Sequence, residues 1–241
     1  MSLYVYGIVP SPADVPELVG VQGERVTTVE SNGQTALVSQ VEDGEEIGTP
    51  ENLLAHSAVL DRIAADRPVL PMVFGTLVPD AEALVERVLA PGHNAYAAQF
   101  ARVGDSAQFT LHARFVADQA LAELVEEDHE ISALRRAISG SSEDETREER
   151  IRLGELVVRG LHRKATAEAQ PVREAIVPLA LEVVEREPGQ ADDVIELAAL
   201  VERHRQAEFE RTAEDFARRS AGRITFRLLG PQAPYDFMGV A

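Results

Sequence analysis

The chain has 241 residues, no cysteine and a formal net charge of -18, from 41 acidic and 23 basic residues. The missing thiols exclude disulfides, zinc–thiolate sites and cysteine nucleophiles. The negative charge argues against phosphate backbones and anionic bilayers as partners, so neither nucleic acid nor membrane is expected.

The first segment, 3–9, is rich in Tyr, Val and Ile and reads as a strand ending at Pro10. Its flank has neither a basic n-region nor a long apolar core, and no apolar run approaches the length of a membrane span, so a cytoplasmic protein is expected. Strands over 25–30 and 35–41 flank Ser31-Asn32-Gly33, a hairpin signal. An acidic loop follows at 42–46. Thr49-Pro50 then opens a helix, with threonine as cap and proline in the first turn. The bracketing prolines make 68–74 an edge strand or extended segment. Pro79-Asp80 starts a helix that Pro91-Gly92 is expected to end, and a further helix covers about 95–103.

Alternation of Phe109, Leu111, Ala113 and Phe115 marks a strand over 108–116, with His112 in the opposite phase, facing solvent or bridging. From 118 to about 187 the composition is helical, interrupted by a polar loop at 139–145. Val172, Ile176, Leu179 and Val183 continue a helical stripe, while Pro178 should kink or break it. A β-branched and aliphatic run over 194–201, read as a strand with a helix as the alternative, an amphipathic helix over 205–220 ended by Gly222, and a strand over 224–229 complete the pattern. The expected fold is α+β in two domains. Residues 1–105 form an N-terminal α+β domain, and 106–229 a C-terminal ferredoxin-like α+β domain with inserted long helices. Residues 230–241 form an extended C-terminal tail.

No spacing singles out a catalytic or metal site. The six histidines include no i, i+4 pair and no H-E-x-x-H, and neither a Walker A motif nor a strand-borne G-x-G-x-x-G occurs. Two hydrolytic constellations remain as an alternative: His129 within Glu126-Glu127-Asp128-His129-Glu130, and His56 beside Ser57. The first reads better as a solvated helix face. In the second, adjacent helical residues point about 100° apart. Either would need a concave pocket gathering those groups. No enzyme activity, metal or cofactor is expected.

The informative segments are apolar and turn-like. Val69-Leu70-Pro71-Met72-Val73-Phe74-Gly75-Thr76 combines an extended run with a glycine suited to an unusual backbone angle. Gly230-Pro231-Gln232-Ala233-Pro234-Tyr235-Asp236-Phe237 is stiffened by its prolines and offers two large aromatic surfaces. Each reads either as packing within its own domain or as an anchor for another chain.

These segments, with Tyr4-Val5-Tyr6-Gly7-Ile8-Val9 and His56-Ser57-Ala58-Val59-Leu60, carry a resemblance. In this order and over nearly the whole chain, they are similar to the Y-x-Y-G-I, H-x-x-V-L, P-V-L-P-x-x-F-G-T and G-P-x-P-P-Y-x-F segments of the gas vesicle protein F/L family (GvpF/GvpL). Val73 stands where the family often has arginine, and Gln232-Ala233 where an aromatic and a proline are common. The resemblance implies a two-domain α+β protein. It implies a part in assembling the gas vesicle shell, by contact with the major gas vesicle shell protein and other gas vesicle accessory proteins, without a cofactor. The partner-binding candidates are Tyr6, Phe74, Gly75, Thr76, Pro231, Pro234, Tyr235 and Phe237.

Overall fold

The structure is a computed structural model and describes residues 1–44, 46–140, 142 and 145–239. The expected loops at 42–46 and 139–145, and the end of the tail, lie partly outside the described residues. The chain divides into two units: residues 1–109 with 200–204 and 229–241, and residues 110–199 with 205–228.

In the first unit, β1 (Ser2–Pro10) is buried from Tyr4 to Val9 because both of its faces are covered. β2 (Thr27–Ser31) and β3 (Gln34–Val41) form the expected hairpin. Asn32 and Gly33 take φ values of 50° and 79°, as a two-residue turn between twisted strands requires. The sheet order is β2-β3-β1-β4, all antiparallel, with β4 (Leu70–Pro71) and β5 (Leu77–Val78) sharing one edge of β1. Helix α1 (Pro50–Ala64) is capped by Thr49, whose hydroxyl accepts from the Asn52 amide at 3.2 Å. Its Val59, Leu60 and Ile63 pack with Tyr4, Tyr6 and Leu37 on one face of the sheet.

Helices α2 (Ala81–Leu84) and α3 (Ala90–Val103) supply the other face, where Leu84 and Leu89 meet Val5, Ile8 and Val38. The expected stop at Pro91-Gly92 is corrected here: the helical path continues from α2 into α3 through a π-turn, Val85–Leu89. The Ala90 amide reaches back to the Val85 carbonyl. This wider turn relieves the clash that Pro91 would cause in a regular helix, and the missing proline donor falls in the first turn of α3.

The second sheet has the order β7-β8-β6-β9, built from β6 (Ser106–Phe115), β7 (Glu182–Arg186), β8 (Asp193–Glu202) and β9 (Ile224–Gln232). Helices α4 (Ala117–Glu127), α5 (His129–Ile138) and α6 (Arg147–Ile176) lie between β6 and β7 in sequence, and α7 (Gln206–Arg219) between β8 and β9. That is the β-α-β-β-α-β order of a ferredoxin-like sheet, with its first helix expanded to three. The α+β fold class expected from sequence is therefore what the chain adopts.

Two local expectations change. Val183 does not continue the helical stripe. α6 ends at Ile176, a 3-10 turn over Val177–Leu179 carries Pro178, and Val183 lies in β7, where pairing with β8 overrides the local periodicity. The tail is not extended throughout, since β9 runs on to Gln232 and a 3-10 turn covers Tyr235–Phe237. His112 bridges, as one of its two expected readings has it: Nε2 lies 2.9 Å from the buried Asp193 Oδ1, which also accepts from Arg114 Nε at 2.9 Å. Burial alone would raise the Asp193 carboxyl; hydrogen bonds from His112, the Gln190 amide and Arg114 hold it below its ordinary value.

An ionic network joins α4, α6 and the segment before β9. Lys164, the one lysine of the chain, lies 2.8 Å from Glu123 and 2.9 Å from Glu127, and Arg223 reaches Glu123 at 3.0 Å and Glu168 at 2.7 Å. Hydrogen bonds from Lys164 and Arg223 bring the Glu123 carboxyl down to about 2. A depressed carboxyl stabilises above its unfolded pKa and loses that contribution as pH falls through its folded one, here between 4.5 and about 2. Glu123→Gln should cost about 1–2 kcal/mol at neutral pH, and equilibrium unfolding of both proteins at pH 7 and pH 3 should show the difference shrinking.

Candidate functional site

The edge of β1 opposite Tyr4–Tyr6 is interrupted. β4 pairs with Gly7 and Ile8, β5 pairs with Leu3 and Tyr4, and residues 73–75 leave the edge between them. The excursion is closed by Thr76, whose amide and hydroxyl donate to the Val73 carbonyl at 3.1 and 2.6 Å. Gly75 takes φ +88°, a left-handed conformation that a side chain would strain. In it, the Gly75 amide donates to the Tyr4 hydroxyl at 3.1 Å. Val73 is left at the tip, 79% exposed.

Beneath this loop lies an aromatic cluster. Tyr4 and Tyr6 are two residues apart on β1 and so share a face, with ring centroids 4.9 Å apart. His56 of α1 stacks on Tyr6 at 5.7 Å and meets Tyr4 edge-on. Phe74 packs edge-on against His56 at 5.6 Å and Tyr4 at 6.3 Å. Tyr235 closes the outer side, its ring 6.4 Å from His56.

The polar atoms of the cluster are largely committed. The Tyr6 hydroxyl donates to Ser39 Oγ at 3.0 Å and accepts from the Val21 amide at 2.8 Å. The Tyr4 hydroxyl accepts from the Gly75 amide and shares a hydrogen bond with His56 Nδ1, 2.8 Å away. Burial pushes His56 down to about 4, although the Met72 backbone favours the protonated ring slightly. Burial also pushes Tyr4 up to about 12 and raises Tyr6 and Tyr235, the last with help from the nearby Asp61 carboxylate.

The tail is fixed to this unit by main-chain contacts. The Ala233 amide donates to Asp61 Oδ1 at 3.0 Å, and the Asp236 amide to Gln108 Oε1 at 3.0 Å. Ala233, Pro234 and Phe237 are buried, whereas Tyr235 is 41% exposed. Of the sequence candidates, Tyr6, Pro234 and Phe237 thus lie inside the unit; Phe74, Thr76 and Pro231 are half-buried; Gly75 and Tyr235 face outward. Tyr4, His56 and Asp61 join them without having been candidates for partner contact. Tyr4 was signalled by its two-residue spacing from Tyr6.

The family model described as "Gas vesicle synthesis protein GvpL/GvpF" matches residues 2–239. The chain belongs to this family. It is 29% identical to Gas vesicle protein F of Streptomyces sp. strain CB03234, over 99% of this chain and 100% of that one. It is 26% identical to Gas vesicle protein F of Nostoc sp. strain PCC 7120, over 99% and 98%. Two crystal structures share the fold of this GvpL/GvpF chain. GvpF from Anabaena sp. PCC7120 has a TM-score of 0.82 at 24% identity, covering 100% of this chain and 99% of that one. GvpF from Microcystis aeruginosa has a TM-score of 0.79 at 23% identity, covering 99% of each.

The protein is thus gas vesicle-related, and the segments that carried the resemblance to GvpF/GvpL meet in space: β1, α1, the 73–76 loop and the tail all contribute to the cluster. The two hydrolytic constellations are arranged otherwise. His56 Nδ1 is engaged by Tyr4 rather than by Ser57. His129 is exposed, while three of its four acidic neighbours are taken: Glu127 by Lys164, Asp128 by the Glu130 and Ile131 amides, and Glu130 by Arg152. Among the described residues, no group of three or more His, Asp and Glu side chains could hold a metal ion, and no helix is long and apolar enough to cross a membrane.

Proposed function

We propose that this GvpL/GvpF protein works in gas vesicle assembly by protein–protein contact rather than catalysis, in the cytoplasm, with the major shell protein and other gas vesicle proteins as partners. The observation that carries the reading is the convergence of separate family segments on one aromatic cluster that is closed inside and apolar outside. Val73, Leu77 and Tyr235 are 79%, 46% and 41% exposed around the half-buried Phe74. Such side chains contribute chiefly when another polypeptide covers them. Tyr6, Pro234 and Phe237 would hold the surface in shape, and Phe74, Gly75, Thr76, Pro231 and Tyr235 would form or border it. In domain terms the surface belongs to residues 1–105 and the tail 230–241. Catalysis is disfavoured by a buried, neutral His56 and by the commitment of Glu127, Asp128 and Glu130 beside an exposed His129.

Deleting the gene should abolish vesicles, and the wild-type gene should restore them. Tyr235→Ala should weaken capture of the shell protein about thirtyfold, a loss of about 2 kcal/mol. Its melting temperature should change little, because the ring is partly exposed already. Normal vesicles in the deletion strain would sink the assembly role. Undiminished capture by Tyr235→Ala together with Val73→Asp would sink the surface.

A further inference from the structure

The N-terminal half of α6 presents a face that the described residues of its own unit leave uncovered. Ile151 is 56% exposed and Val158 41% exposed, two helical turns apart on one stripe. Gly154 sits between them, and a Cβ built on it would meet nothing within 4 Å. A neighbouring helix could therefore approach this stripe closely. Alongside it run Glu148, Arg152, Glu155 and Arg159, all exposed, at i, i+4, i+7 and i+11. Glu148, Glu155 and Arg159 make no ion pair with the described residues, and Arg152 has only an exposed bridge to Glu130.

This order of charges is what identifies the occupant. The sequence Glu, Arg, Glu, Arg read against itself in the opposite direction places a glutamate opposite an arginine at all four positions. In a parallel pairing, each would face its own kind. With a two-fold axis passing between Gly154 and Glu155, Ile151 lies against Val158 of the second copy, and Val158 against its Ile151. Glu148 then lies about 3 Å along the helix axis from Arg159 of the second copy, and Arg152 as far from its Glu155, an offset that these long side chains span. We propose that the exposed face of α6 is a self-association surface that pairs antiparallel with the same face of a second copy of this chain. The apolar seam supplies the attraction and the charges fix the direction. The contact is short, so the association is weak and reversible. It is also independent of the surface around Tyr235.

Sedimentation equilibrium of the full chain tests this. The mass should rise from 26.2 kDa towards twice that value as concentration passes through about tens of micromolar. Glu148→Arg with Glu155→Arg makes the row all arginine, and Arg152→Glu with Arg159→Glu makes it all glutamate. Each double variant should be monomeric alone, and an equimolar mixture should dimerise again. Circular dichroism would verify that α6 stays folded. The chain has no cysteine of its own, so single cysteines give a second readout that spares the charges. Ile151→Cys mixed with Val158→Cys should form the mixed disulfide several-fold faster than either forms with itself, because like positions lie about 10 Å apart along the antiparallel pair. A wild-type chain that stays monomeric at all concentrations would overturn the proposal. So would double variants that dimerise as well as wild type, or cysteine pairs that cross-link without preference.

Discussion

Acidification from pH 7 to pH 4 should remove about 3 kcal/mol of stability through one side chain, His56. The ring is 1% exposed, with one nitrogen facing the Tyr4 hydroxyl and the other buried, and burial holds its pKa near 4 rather than 6.5. Between those two values the unfolded chain binds a proton at this position and the folded chain does not. Stability is therefore complete above pH 6.5 and declines as the pH falls towards about 4. Chemical unfolding at pH 7, 6, 5 and 4 would trace the slope. His56→Phe keeps a flat ring against Tyr6 and Phe74 but cannot titrate, so the difference between the two proteins should narrow by about 3 kcal/mol over the window. Parallel curves would show that the imidazole is not buried as described. Glu123 acts in the same direction at lower pH, below 4.5.

The second large effect belongs to Tyr6. Truncation to alanine removes a ring that is 0% exposed and stacked on His56, and should cost about 3–5 kcal/mol. Tyr6→Phe keeps the ring but leaves the Val21 amide without its acceptor inside the unit, which should cost about 1–3 kcal/mol. Urea unfolding distinguishes the two. The comparison with Tyr235 separates shape from contact. Tyr6→Phe, assayed below its melting temperature, should capture the shell protein as well as wild type does, whereas Tyr235→Ala should not. Equal binding defects in the two would mean that the aromatic cluster acts only by holding the fold together.

Where local chemistry decides, the sequence is a good guide. Asn32-Gly33 specifies its own turn, Thr49-Pro50 its own helix start, and Pro178 its own break, because in each case the deciding atoms belong to neighbouring residues. The misreadings share the opposite origin. Pro91 stops a regular helix, but nothing local announces that the preceding turn widens to admit it. Val183 fits a helical stripe by spacing alone and is taken instead by an adjacent strand. The site shows the same division. Its segments were legible one at a time as apolar, glycine-bearing and proline-stiffened. Their meeting was not, because Tyr4, His56, Phe74 and Tyr235 are joined only by contacts between residues far apart in the chain. His56 drew attention for the serine beside it, whereas its partner of consequence is a tyrosine more than fifty positions away.

The single lysine has a practical corollary. Its amine is clasped between Glu123 and Glu127. Amine-coupling reagents will find few handles on this molecule, so failure to trap a neighbour with them says little about proximity. Zero-length activation of its many surface carboxylates, with the neighbour's lysines as nucleophiles, is the chemistry suited to catching it in company.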